Sequence, residues 1–135
     1  MKSSVFRTLL TLAIILFFGF LSQDVFAQSS WAAPKSADAV SNPYKGNEKA
    51  TAAGKKLYVQ MCAICHGNKG KGDGIAGMSL KPRPADLTKP AVQNQSDGAI
   101  YWKITNGNPP MASYKETLTE EQRWQLVNYI RELKR

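Results

Sequence analysis

Metal-binding side chains are scarce in this sequence, with one histidine and two cysteines among 135 residues. A structural zinc site takes four ligands, one more than these three side chains supply. Two cysteines also rule out a disulfide framework, and a bridge spanning two residues closes almost no loop and stabilises little. No stretch alternates apolar and polar residues over strand length, so nothing supports a sheet. Acidic residues are outnumbered, ten Asp and Glu against eighteen Lys and Arg, for a formal net charge of +8. Such a balance favours acidic partners or anionic membrane surfaces. Nucleic acid, the usual alternative, is not expected for a chain that leaves the cytoplasm.

Long apolar runs are absent apart from Leu9 to Leu21, thirteen nearly unbroken residues behind the basic Lys2 and Arg7. As a helix this run covers about 20 Å, short of the ~30 Å hydrocarbon core of a bilayer. Val25-Phe26-Ala27 then offers a cleavage triplet ahead of Gln28. Residues 1–27 therefore read as a secretory signal peptide, and the protein as periplasmic or otherwise exported. If the segment is retained, it associates the protein with the membrane. Residues 28–46 are rich in Ser, Ala and Pro without any period and read as a flexible leader. The remaining residues, 47–135, form one domain.

Against this background one stretch stands out: Cys62-Ala63-Ile64-Cys65-His66. Two thiols three residues apart, followed at once by an imidazole, is the pattern for covalent attachment of haem c. Each thiol can form a thioether with one vinyl group, and the histidine can coordinate iron. A redox dithiol has the same Cys-x-x-Cys core, but it accompanies a βαβ pattern that is missing here. Export and haem attachment agree, since haem c is joined to its protein outside the cytoplasm.

Helical signals surround the motif. Asn47 is a candidate N-cap, followed by Ala50, Ala53, Gly54, Leu57, Tyr58 and Met61 at three- and four-residue spacing. Cys62 and Cys65 continue that face. Gly54 costs about 1 kcal/mol relative to alanine in a helix interior, which a close helix crossing would explain. Five glycines between Gly67 and Gly77 end the helix. Gly72 to Gly77 matches G-x-G-x-x-G, yet no strand precedes it and no βαβ unit contains it, so it reads as a loop at the haem edge. Pro82, Pro84 and Pro90 make the next stretch extended. The carbonyl of Pro82 or Pro84 is a candidate acceptor for the second N–H of His66, and Arg83 a candidate propionate partner. Ser96-Asp97-Gly98 reads as a cap for a short helix from Ala99 to Asn106, whose Tyr101 and Trp102 also have propionate-binding groups. Thr119-Glu120-Glu121-Gln122 is a capping box opening a last helix with Trp124, Val127, Ile130 and Leu133 on one face.

With His66 the only histidine, the second axial ligand is sought among the methionines. Met61 directly precedes the motif on the same helix and cannot reach the opposite haem face. Met78 lies in the glycine-rich loop. Met111 follows Asn108-Pro109-Pro110, 45 residues after His66, where a stiff loop can present a thioether. Met111 is the preferred ligand and Met78 the alternative. His/Met ligation raises the iron potential and fills both axial positions, which leaves outer-sphere transfer of single electrons.

The segment Gly54 to His66 resembles the N-terminal helix and haem motif of the class I cytochromes c, and Leu126-Val127-Asn128-Tyr129-Ile130 resembles their C-terminal helix. The resemblance covers residues 47–135. It implies an all-α fold of three to four helices and long loops around one covalently bound haem c, with Cys62 and Cys65 binding the haem and His66 and Met111 the iron. It also implies that Gly54 and Tyr58 cross Leu126 and Tyr129. The family often has proline after the ligand methionine; here Ala112 follows, and the prolines precede it. The expected function is electron transfer without catalysis, by a monomer. Its partners would be redox proteins, either a membrane respiratory complex or a periplasmic dehydrogenase, with acidic docking surfaces facing Lys55, Lys56, Lys69 and Lys71. The alternatives are a haem subunit of a respiratory oxidase or dehydrogenase complex, and an open-site haem enzyme or gas sensor.

Overall fold

Three capped helices define the domain. In the computed structural model, which describes residues 31–134, every regular element is helical, and the described residues contain no strand. The signal peptide and its cleavage triplet lie outside the described residues. Helix α1 is a single turn, Lys35–Asp38. Helix α2 spans Glu48–Met61 and starts where the Asn47 side chain accepts the Ala50 N–H at 3.0 Å. Helix α3, Ala63–His66, follows after a break at Cys62. A 3-10 turn, Gly77–Ser79, and helix α4, Pro90–Gln93, punctuate the long loop. Helix α5, Asp97–Asn106, is capped by Ser96, and α6, Glu120–Glu132, by the expected box of Thr119 and Gln122. Pro90 opens α4 as its first residue, where a missing N–H costs nothing. The proline was expected to keep this stretch extended.

The core lies where α2 and α6 cross. Ala50, Gly54 and Tyr58, each four residues from the next, form the buried stripe of α2. A Cβ built on Gly54 would run into the backbone carbonyl of Gln125, so the two backbones touch at this point. One turn on, the Tyr58 and Tyr129 rings meet at 5.1 Å in a tilted pair. Helix α5 also packs on α6, with Tyr101 stacked on Trp124 at 4.0 Å. Tyr58, Trp124, Leu126 and Val127 are fully buried between these helices.

The stretch expected as a flexible leader is, over residues 32–46, part of the fold. Ala37 is buried, and its carbonyl occupies the place that a Cβ on Gly98 would take. The Asn42 amide donates to Asp97 at 3.0 Å and to Asn128 at 2.8 Å, while its oxygen accepts the Tyr44 N–H at 2.9 Å. Asn128 returns a bond to the Tyr44 carbonyl at 2.6 Å. These contacts come from side-chain amides and one helical turn, which leave no periodic trace in the sequence. Asn42→Ala removes three of them and is expected to cost about 1–2 kcal/mol. Limited proteolysis should then cut faster within residues 32–46, because local opening becomes easier. An unchanged digestion pattern would show that Asn42 does not hold the segment.

Candidate haem site

The two thiols and the imidazole leave the chain at a change of helix. Cys62 ends α2, its N–H bonding the Tyr58 carbonyl at 2.9 Å, and at the same time caps α3. The one-turn α3 carries Cys65 and His66, so all three side chains arise within five residues. Both cysteines are free thiols and half-buried. Burial, with Cys65 adding to it, pushes the Cys62 thiol up to about 12. A reactive dithiol needs the opposite shift, because the thiolate is the nucleophile.

The glycine loop explains why this turn is rigid. Amides of Gly72, Gly74 and Ala76 donate to the carbonyls of His66, Cys65 and Ile64 at 2.8, 3.1 and 3.0 Å. These are the carbonyls a short helix leaves without partners. Such contact brings backbone against backbone: a Cβ on Gly74 or Gly77 would strike the main chain of α3. The G-x-G-x-x-G match is therefore a loop, as expected, laid on the attachment turn itself. Tyr58 adds a buried bond from its hydroxyl to the Gly67 carbonyl at 2.8 Å.

His66 has one nitrogen engaged. Its Nδ1 lies 3.2 Å from the Ala85 carbonyl. A carbonyl only accepts, so Nδ1 carries the proton and Nε2 keeps its lone pair. Burial holds the imidazole below its ordinary range, and the Ala85 contact opposes this more weakly. The result is a neutral ring fixed in one tautomer, the form that binds a metal. The acceptor is Ala85, not Pro82 or Pro84. The extended proline segment does pass the ring, but one residue further along. Arg83 is exposed.

Met111 sits in a tight turn whose ends pair twice with Asn108, at 3.0 and 2.8 Å. It is half-buried, whereas Met78, on the 3-10 turn, is 52% exposed. The loop after Met111 is bonded back to the end of α2: the Tyr114 hydroxyl donates to the Met61 carbonyl at 3.2 Å. Tyr101 does not point its hydroxyl freely; the oxygen accepts from Arg123 at 2.9 Å, which leaves the phenol hydrogen for a carboxylate. Arg123 is buried, donates to the Lys115 and Leu118 carbonyls at 3.0 and 2.6 Å, and its Nε has no hydrogen-bond partner among the described residues. Sequence reasoning missed Arg123, Tyr114 and the Ala85 carbonyl. A cation in the first turn of a helix, where the dipole disfavours it, was the one available signal for Arg123.

The donor set fits a covalently attached haem: two unbridged thiols, a neutral imidazole with Nε2 available, and a half-buried thioether on a braced loop. No group of three His, Cys, Asp or Glu side chains able to hold a bare metal ion occurs among the described residues. Lys55, Lys56, Lys69 and Lys71 are exposed around the motif, as are the apolar Ile64 and Ile75. No helix among the described residues is long and apolar enough to cross a membrane.

Comparison with known proteins agrees. The family described as cytochrome C oxidase, cbb3-type, subunit III matches residues 49–130. Among solved structures, a chain of the Kuenenia stuttgartiensis reducing HAO-like protein complex Kustc0457/Kustc0458 is similar, with 29% identity and a TM-score of 0.62 over 71% of this chain. The match spans 50% of that longer chain. The KustC0563 c-type cytochrome is also similar, with 33% identity and a TM-score of 0.52, covering 61% of this chain and 98% of its own. No curated protein sequence matches significantly.

Proposed function

The chain belongs to the family of cbb3-type cytochrome c oxidase subunit III, as a class I-like monohaem c-type cytochrome with covalently bound haem c, and from that premise we propose that it moves single electrons between redox partners outside the cytoplasm. Haem c supplies the one-electron iron couple. Cys62 and Cys65 would hold it by thioethers, and His66 through Nε2 and Met111 through its thioether would ligate the iron. The observation that carries the ligand reading is the His66 ring, neutral and fixed by Ala85 directly behind two free thiols. With iron held by both side chains, no open site would remain for oxygen or peroxide. The chain is not an enzyme on this reading, and it acts as a monomer. Residues 1–27 serve as its export signal and 47–135 as its haem domain, with 32–46 packed onto that domain. The net charge of +8 and the exposed lysines around the motif suit a partner with an acidic docking face.

Visible spectra of protein matured with haem-attachment machinery test this reading. The ferric form should show the weak far-red band of sulfur-ligated iron and bind no carbon monoxide when reduced. Met111→Ala should abolish the band, whereas Met78→Ala should keep it. A band that survives Met111→Ala and disappears in Met78→Ala would move the ligand to Met78. Ready binding of carbon monoxide by the unmodified protein would support the open-site enzyme or sensor instead.

A second reading makes the chain a haem subunit of a larger redox complex. Two names favour it: the family's oxidase subunit and the HAO-like protein complex of the similar structure. Co-purification with a large redox partner at stoichiometric yield would establish this reading, and a free monomer in the periplasmic fraction would exclude it.

A further inference from the structure

The Met111 loop is anchored by two kinds of contact. Toward α5, the Tyr114 N–H donates to the Ile104 carbonyl at 3.1 Å, and the Ser113 hydroxyl to the Thr105 carbonyl at 2.7 Å. Both acceptors lie in the helix that leads into the loop. They fix the stem of the loop and say nothing about its distance from the haem motif. The bond from the Tyr114 hydroxyl to the Met61 carbonyl is different, joining residues 53 apart in sequence. Met61 is the last residue of α2, immediately before Cys62. Its carbonyl is one that a helix end leaves open, because the Cys65 N–H bonds Cys62 instead, at 3.1 Å. The phenol thus takes a vacant acceptor on the backbone that carries the thiols.

We propose that Tyr114 is a positioning residue for the distal ligand: its hydroxyl ties the Met111 loop to the last carbonyl before Cys62 and so holds the thioether against competing ligands. This rests on Met111 being the axial ligand. Without the tie the loop keeps its stem contacts and its fold, but the thioether leaves the iron more often. Cys62 and Met111 then move as parts of two elements, where the bond had made them one.

Titration of the ferric protein with imidazole, which competes with a thioether for iron, tests the proposal. Tyr114→Phe keeps the ring and its packing and deletes one hydrogen bond. It should retain the far-red band and bind imidazole roughly fivefold more tightly, the effect of one net hydrogen bond. In a Met111→Ala background the same substitution should change imidazole affinity by less than about twofold, since no thioether remains to be held. Equal imidazole affinity in Tyr114→Phe and the unmodified protein would overturn the proposal while leaving the Met111 assignment intact. Survival of the far-red band in Met111→Ala would overturn the ligand assignment and this inference with it.

Discussion

Gly54→Ala should unfold the haem domain at a much lower denaturant concentration than the unmodified protein. Taken alone, the change favours the helix by about 1 kcal/mol, since alanine is the better helix former. The added methyl group, however, points at the Gln125 backbone carbonyl, which cannot rotate out of the way as a side chain would. The helices α2 and α6 must separate, and separation loosens the contact of Tyr58 with Tyr129 one turn away. Overpacking of this kind costs up to about 3 kcal/mol, and backbone displacement puts it at the upper end or beyond. The net loss is therefore about 2 kcal/mol or more, or a fall of about 10 °C in Tm for a domain of this size. Equilibrium unfolding of the haem-loaded protein, followed by far-UV circular dichroism, measures it. A midpoint equal to or above that of the unmodified protein would mean that the helices do not touch at Gly54.

Arg123→Met should be comparably damaging for a different reason. Arg123 is 8% exposed, and among the described residues its guanidinium bonds the Lys115 and Leu118 carbonyls and the Tyr101 hydroxyl and no carboxylate. The Tyr101 ring lies 5.3 Å beneath the cation and is itself stacked on Trp124. Methionine fills the volume but leaves the Leu118 carbonyl, which accepts from Arg123 at 2.6 Å, without that donor. Charge-assisted bonds of this type carry about 1.5–3 kcal/mol each, offset in part by the desolvation the cation no longer suffers. A net loss of about 2–4 kcal/mol is expected. Arg123→Lys should recover less than half of it, because an ammonium cannot reach three acceptors spread across a planar fork. Full recovery with lysine would show that charge alone matters at this position.

These two residues mark how far the sequence could be read. Asn47, Ser96 and Thr119 announced their helices because a cap bonds an amide only three residues away. Gly54 was legible as a crossing point because glycine is out of place in a helix interior. The attachment motif was legible because its chemistry is compressed into five residues. What could not be read depends on partners far along the chain. Asn42 fell in the stretch read as a flexible leader, and only the fold brings Asp97 and Asn128 beside it. Arg123 passed unnoticed between the capping box and Trp124. Ala85 contributes only a carbonyl, which no side chain advertises. The proline segment was rightly brought to His66, but periodicity cannot tell which of its carbonyls faces the ring.

The pairing of Asn42 with Asn128 also sets a timetable. The two residues are 86 positions apart, and Tyr44 and Asn128 are 84 apart. Helix α2, likewise, packs on a helix that begins only at Glu120. A chain delivered from its N-terminus thus exposes Cys62 and Cys65 well before α6 arrives to close the core. None of these contacts can form before residues 120–132 are present, because their partners lie there. The interval leaves both thiols on an open chain, and closing of the core leaves them half-buried.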